Sequence, residues 1–133
     1  MKFVERSGTF AIEMNSRSGT PVLAMNNLVN GNIVQVTANM CISNGNAAGV
    51  YINIQPTNDK YCQAVSPTSA VVQNITGWAT TTRVAYFRVS GLDVKDPTTE
   101  VDFEVDFVAN DLGGDGQRCN NFVMSARVVD TDD

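Results

Sequence analysis

Asp102, Glu104 and Asp106 stand two residues apart in Val101-Asp102-Phe103-Glu104-Val105-Asp106-Phe107. Paired carboxylates are the machinery of glycoside hydrolysis. On an extended chain, neighbours in this set sit about 6–7 Å apart, which is compatible with acid and base roles. Catalysis also needs a cleft and one carboxyl with a raised pKa. A regular alternating strand supplies neither, so the set reads as a solvated face partly neutralised by arginine. Asn110-Asp111-Leu112-Gly113-Gly114-Asp115-Gly116 resembles a calcium loop, with Asp111 and Asp115 as the candidate ligands. The EF-hand pattern wants oxygen donors at alternate positions and a closing Glu. Leu112 and Gly113 break that pattern and no Glu follows. The segment therefore reads as a turn, and no metal is assigned.

The chain has no histidine, which removes the base of Ser-His and Cys-His nucleophilic sites. Cys41, Cys62 and Cys119 are odd in number and widely spaced, with no C-x-x-C. Zinc-ribbon and dithiol redox readings fail on that spacing. Reduced thiols are expected, with one disulfide plus a free thiol as the alternative. No catalytic and no cofactor-binding residue is assigned. Asn74-Ile75-Thr76 matches a glycosylation sequon, a pattern that matters only in a secreted protein. Trp78 reads as a core anchor, with stacking on a sugar as the alternative. Tyr51 and Tyr86 fall on expected polar faces and suit carbohydrate contact or a protein interface. Cys41 falls on a polar face too, where a neighbouring subunit would shield its thiol.

These residues need elements to position them, and the chain of 133 residues is long enough for one domain, 1–133, with its own core. The apolar fraction of 43% is that of a globular protein. The formal charge is −5, which argues against nucleic-acid binding and against anionic membrane surfaces. No apolar run reaches the roughly 18 residues of a membrane helix. Met1-Lys2-Phe3-Val4-Glu5-Arg6 lacks the apolar stretch of a signal peptide. Synthesis in a cytosol is the expectation.

Alternation with period two runs through the chain, the mark of strands with one buried face. Val101, Phe103, Val105 and Phe107 share one side of the acidic strand. Val34, Val36, Ala38, Met40 and Ile42 share one side of Ile33 to Ile42. Further strands are expected at Thr9 to Met14, Pro21 to Leu28, Val50 to Ile54, Tyr61 to Val65, Ala70 to Ile75, Thr81 to Ser90 and Phe122 to Val129. The turn-rich Ser43 to Gly49 predicts a hairpin pairing Ile42 with Val50, which sets Cys41 opposite Tyr51. A second hairpin pairs Val89 with Val101, Phe87 with Phe103 and Ala85 with Val105. It sets Arg88 opposite Asp102 and Tyr86 opposite Glu104. No segment carries a helical period. The fold class is therefore all-β, a single-domain β-sandwich, jelly-roll or Ig-like, of about eight or nine short, mostly antiparallel strands.

The start at Met1-Lys2-Phe3-Val4, the all-β body rich in Asn and Thr, the acidic balance and the few lysines give the chain a resemblance in kind. It resembles the virion accessory proteins of tailed bacteriophages, above all capsid decoration (cement) proteins. The resemblance implies a β-sandwich that forms a homo-oligomer, often a trimer, on a capsid lattice. It implies a virion protein made in the host cytoplasm, whose partners are itself and a shell protein. It also implies a terminal arm that joins a neighbour's sheet. Residues 1–6 and the end after Val129 are the arm candidates here. The interface candidates are Met1, Lys2, Phe3, Val4, Tyr51 and Tyr86. The expected function is a non-enzymatic structural subunit of a viral or extracellular assembly. The alternative is a carbohydrate-binding module using Trp78, Tyr51 or Tyr86, and the third reading is a hydrolase using the acidic stripe.

Overall fold

The computed structural model describes residues 3–11, 22–43, 49–73, 78–96, 99–109 and 118–131. Among them are nine strands and no helix. The strands are β1 (Phe3–Ala11), β2 (Leu23–Met25), β3 (Asn32–Ser43), β4 (Gly49–Pro56), β5 (Cys62–Ala64), β6 (Ser69–Gln73), β7 (Trp78–Val89), β8 (Val101–Ala109) and β9 (Arg118–Thr131). They form a five-stranded sheet, β1-β9-β3-β7-β5, and a four-stranded sheet, β2-β8-β4-β6. Every pairing is antiparallel. No described helix is long and apolar enough to cross a membrane.

Each step along the chain passes from one sheet to the other. No strand pairs with its predecessor or successor. With the three-residue β5 set aside, the order is that of a jelly roll. The expected apolar rows are the two walls of one core. Val34, Val36, Ala38, Met40 and Ile42 of β3 join Ala85, Phe87 and Val89 of β7, and Phe122, Met124 and Ala126 of β9. They meet Ile52 and Ile54 of β4 and Val101, Phe103 and Val105 of β8, and none of these residues is more than 2% exposed. Complete burial of one such large side chain contributes roughly 1.5–3 kcal/mol.

Both expected hairpins are corrected by this topology. β7 and β8 lie in different sheets, and so do β3 and β4. Arg88 sits beside Ile33 and Gln63, not Asp102. Tyr86 sits beside Gln35, not Glu104. Cys41 sits beside Thr80 and Asn120, not Tyr51. Residues 90–100 separate β7 from β8, far more than the two to five of a tight hairpin and enough to cross between sheets about 10 Å apart. Phe87 does meet Phe103, with ring centroids 5.2 Å apart, but across the core and not along a sheet.

The expected N-terminal arm is also corrected in part. Phe3, Val4, Glu5 and Arg6 pair with Arg127, Ala126, Ser125 and Met124 of β9 in the chain's own sheet. Met1 and Lys2 lie outside the described residues. The register of β9 slips once where it faces Gly8 to Phe10 of β1 and Asn39 to Cys41 of β3. One extra residue on β9 accounts for both slips. Asn121, with φ of 51°, supplies the left-handed turn of that bulge, a conformation Asn tolerates better than most residues.

Candidate functional site

The outer face of the four-stranded sheet carries the acidic stripe, and its side chains are tied into a chain of hydrogen bonds. Asn53 lies beside Asp106, and Gln55 beside Glu104. Thr68 Oγ1 donates to Asn53 Oδ1 at 3.1 Å. Asn53 Nδ2 donates to Gln55 Oε1 at 2.7 Å. Gln55 Nε2 donates to Glu104 Oε2 at 2.9 Å. A carboxylate only accepts, so Glu104 fixes which way both amides point. The expectation of a solvated stripe fails at its centre: Glu104 is 4% exposed. Asp102 is half-buried, and its Oδ1 is buried with no hydrogen-bond partner.

Beside this network opens a cleft of about 710 Å³. The end of β4 and residues 57–59 form one wall, and β5 forms the other. Asn53, Gln55, Asn58, Asp59, Gln63 and Thr68 give it polar walls. Ile54, Cys62 and Phe87, each buried, give it an apolar floor. Burial pushes the Cys62 thiol up from 9.0 to about 11, and the negative charge of Asp59 adds to the effect. Cys62 is therefore a neutral wall atom and not a nucleophile. Sequence reading missed the cleft because Asn53 and Thr68 adjoin only after residues 57–68 loop back to β4. Cys41 is half-buried on β3 of the same five-stranded sheet as Cys62, and both thiols are free.

The aromatic candidates do not share a site. Trp78, expected in the core, is 48% exposed at the start of β7, opposite Ser43. It falls on the outward side of the alternation because Ala85, Phe87 and Val89 take the inward one. Tyr86 stands on that same outer face, half-buried, and its hydroxyl accepts from Gln35 Nε2 at 2.8 Å. Arg127 Nε donates to Gln35 Oε1 at 3.0 Å, so β9, β3 and β7 are linked in one row. Tyr51 is exposed on β4, on the opposite face of the sandwich. Trp78, Tyr51 and Tyr86 thus form no joint platform for a sugar.

The interface candidates Phe3 and Val4 belong to β1 at one edge of the five-stranded sheet. Around Tyr86 the outer face of that sheet is partly apolar: Val84 on β7 is exposed, and so is Val65, whose N–H donates to the Tyr86 carbonyl. Asp111, Asp115 and the sequon Asn74-Ile75-Thr76 lie outside the described residues. Among the described residues no group of three acidic or cysteine side chains is placed to hold a metal. No protein-family model matches the chain, and no curated protein sequence matches it either.

Proposed function

We propose that this chain is a non-enzymatic structural subunit of a viral or extracellular assembly, of the capsid-decoration kind, acting through protein–protein contacts. One observation carries the reading. A jelly roll of this strand order has four sheet edges, and three of them are short: β2 and β5 have three residues and β6 has five. The fourth, β1, has nine, and among the described residues no strand pairs with its outer side. Proteins keep edges short, or guard them with Pro and Lys, because a long edge recruits another strand. Phe3–Ala11 contains neither Pro nor Lys, and its charged residues are Glu5 and Arg6 alone. A long edge of this kind suits strand addition to a second copy or to a shell protein. The exposed Val65 and Val84, toward the β7–β5 end of the same sheet, offer separate apolar surface for burial.

The hydrolase reading loses support at Glu104. That carboxylate is buried and held by Gln55, which leaves it no access to a glycosidic oxygen.

Adjacent residues on an edge strand alternate in the direction of their N–H. Glu5→Pro and Arg6→Pro form a matched pair for that reason. One removes a bond to β9, and the other removes only an outward donor. Sedimentation velocity of the unaltered chain is expected to give a small multiple of one chain. The outward variant is expected to stay folded by circular dichroism and to sediment as a monomer. A chain that remains monomeric at high concentration, and binds no shell protein, contradicts the proposal.

A further inference from the structure

We propose that the cleft between β4 and β5 binds a neutral sugar, at a site separate from the exposed aromatics and from the β1 edge. The chemistry of the walls selects the ligand. Planar amides present a donor and an acceptor side by side, and this matches a ring hydroxyl, which does both. Asn53, Gln55, Asn58 and Gln63 line the cleft with four such amides, three of which already accept one bond at the carbonyl, and Thr68 adds a hydroxyl. The volume of about 710 Å³ lies within the range of small-molecule sites. Pro56 and Ala64 at the side offer apolar contact to the C–H faces of a sugar ring, while Ile54 and Phe87, each 1% exposed, close the floor beneath.

Charge disfavours anions and metal ions. Among the described residues no Lys or Arg lines the cleft, and Asp59 does, so an anion meets repulsion there. A calcium ion wants about six to eight oxygens, several of them carboxylate, and the cleft wall supplies one carboxylate. A neutral polyhydroxylated ligand meets neither obstacle.

The amides are also pre-set. Glu104 orients Gln55, Gln55 orients Asn53, and Asn53 accepts from Thr68. Asn53 and Gln55 each donate one N–H within the relay. Side chains already held in place lose little entropy when a ligand arrives, and this raises affinity.

The test uses the whole chain and an array of neutral sugars: glucose, galactose, mannose and N-acetylglucosamine, with their short oligomers. Sialylated and sulfated glycans form the anionic arm. A neutral sugar is expected to bind, and titrating it is expected to move the amide resonances of Asn53, Gln55 and Gln63. Gln63→Ala and Asn58→Asp change exposed walls without touching the relay, and Asn58→Asp keeps the Oδ1 that accepts from Lys60 N–H, so both are expected to fold, as read by circular dichroism. Each is expected to weaken binding about five- to tenfold, the effect of roughly one hydrogen bond. Trp78→Ala is expected to leave binding unchanged. Three results overturn the proposal: no neutral sugar binds, only the anionic glycans bind, or Trp78→Ala abolishes binding that both wall variants retain.

Discussion

Glu104 ends the hydrogen-bonded row that begins at Thr68, and it is buried on the side of β8 away from the core. Glu104→Ala strands the Gln55 amide and leaves a void. The expected loss is about 1–3 kcal/mol of unfolding free energy, read by urea denaturation. An unchanged midpoint would mean that the row does not organise this face. Cys62 makes a second prediction. Its thiol is raised from 9.0 to about 11 in the fold. Below pH about 9 the thiol is neutral folded and unfolded, and its contribution is complete. Between about 9 and about 11 the unfolded chain ionises while the folded one resists, so stability falls. Cys62→Ala is expected to show a smaller alkaline loss than the unaltered chain. Iodoacetamide at pH 8 is expected to label Cys41 before Cys62, which mass spectrometry of the peptides reads directly. Asn121 makes a third. Its φ of 51° serves the β9 bulge, so Asn121→Gly is expected to be tolerated. Asn121→Val is expected to cost about 1–3 kcal/mol by the same urea measurement.

Among the elements, the strands were legible and their partners were not. The alternation of Val34 to Ile42 or Val101 to Val105 depends only on which residues face a core, and burial follows it at every one of these positions except Glu104. Pairing depends on whether a connection turns back in one sheet or crosses to the other, and period-two patterning is the same in both cases. Phe87 and Phe103 illustrate the ambiguity: a hairpin and a face-to-face sandwich both bring them together, and only the second is realised. Trp78 was misplaced because a single aromatic carries no register of its own. Nuclear Overhauser contacts are expected between Tyr86 and Gln35, and none between Tyr86 and Glu104. Phe87→Ala and Phe103→Ala are each expected to cost about 3–5 kcal/mol. The double variant is expected to show a coupling of about 0.5–1.5 kcal/mol. Strict additivity would separate the two rings.

For the whole molecule, the jelly roll closes most of its boundary with very short edges and leaves β1 long. The sequence suggests a free arm at residues 1–6, whereas Phe3 to Arg6 pair with β9 in the chain's own sheet. Period-two patterning cannot show that pairing, since it joins segments near the two ends of the chain. The cleft escaped for a similar reason, being assembled from residues 53–68 and β7 after the fold forms. Hydrogen–deuterium exchange along Phe3–Ala11, followed as the protein concentration rises, addresses the edge directly. Outward amides of β1 are expected to exchange quickly in dilute solution and to become protected as association proceeds. Exchange along β1 that stays fast while the mass rises, or a mass that never rises, would contradict the account.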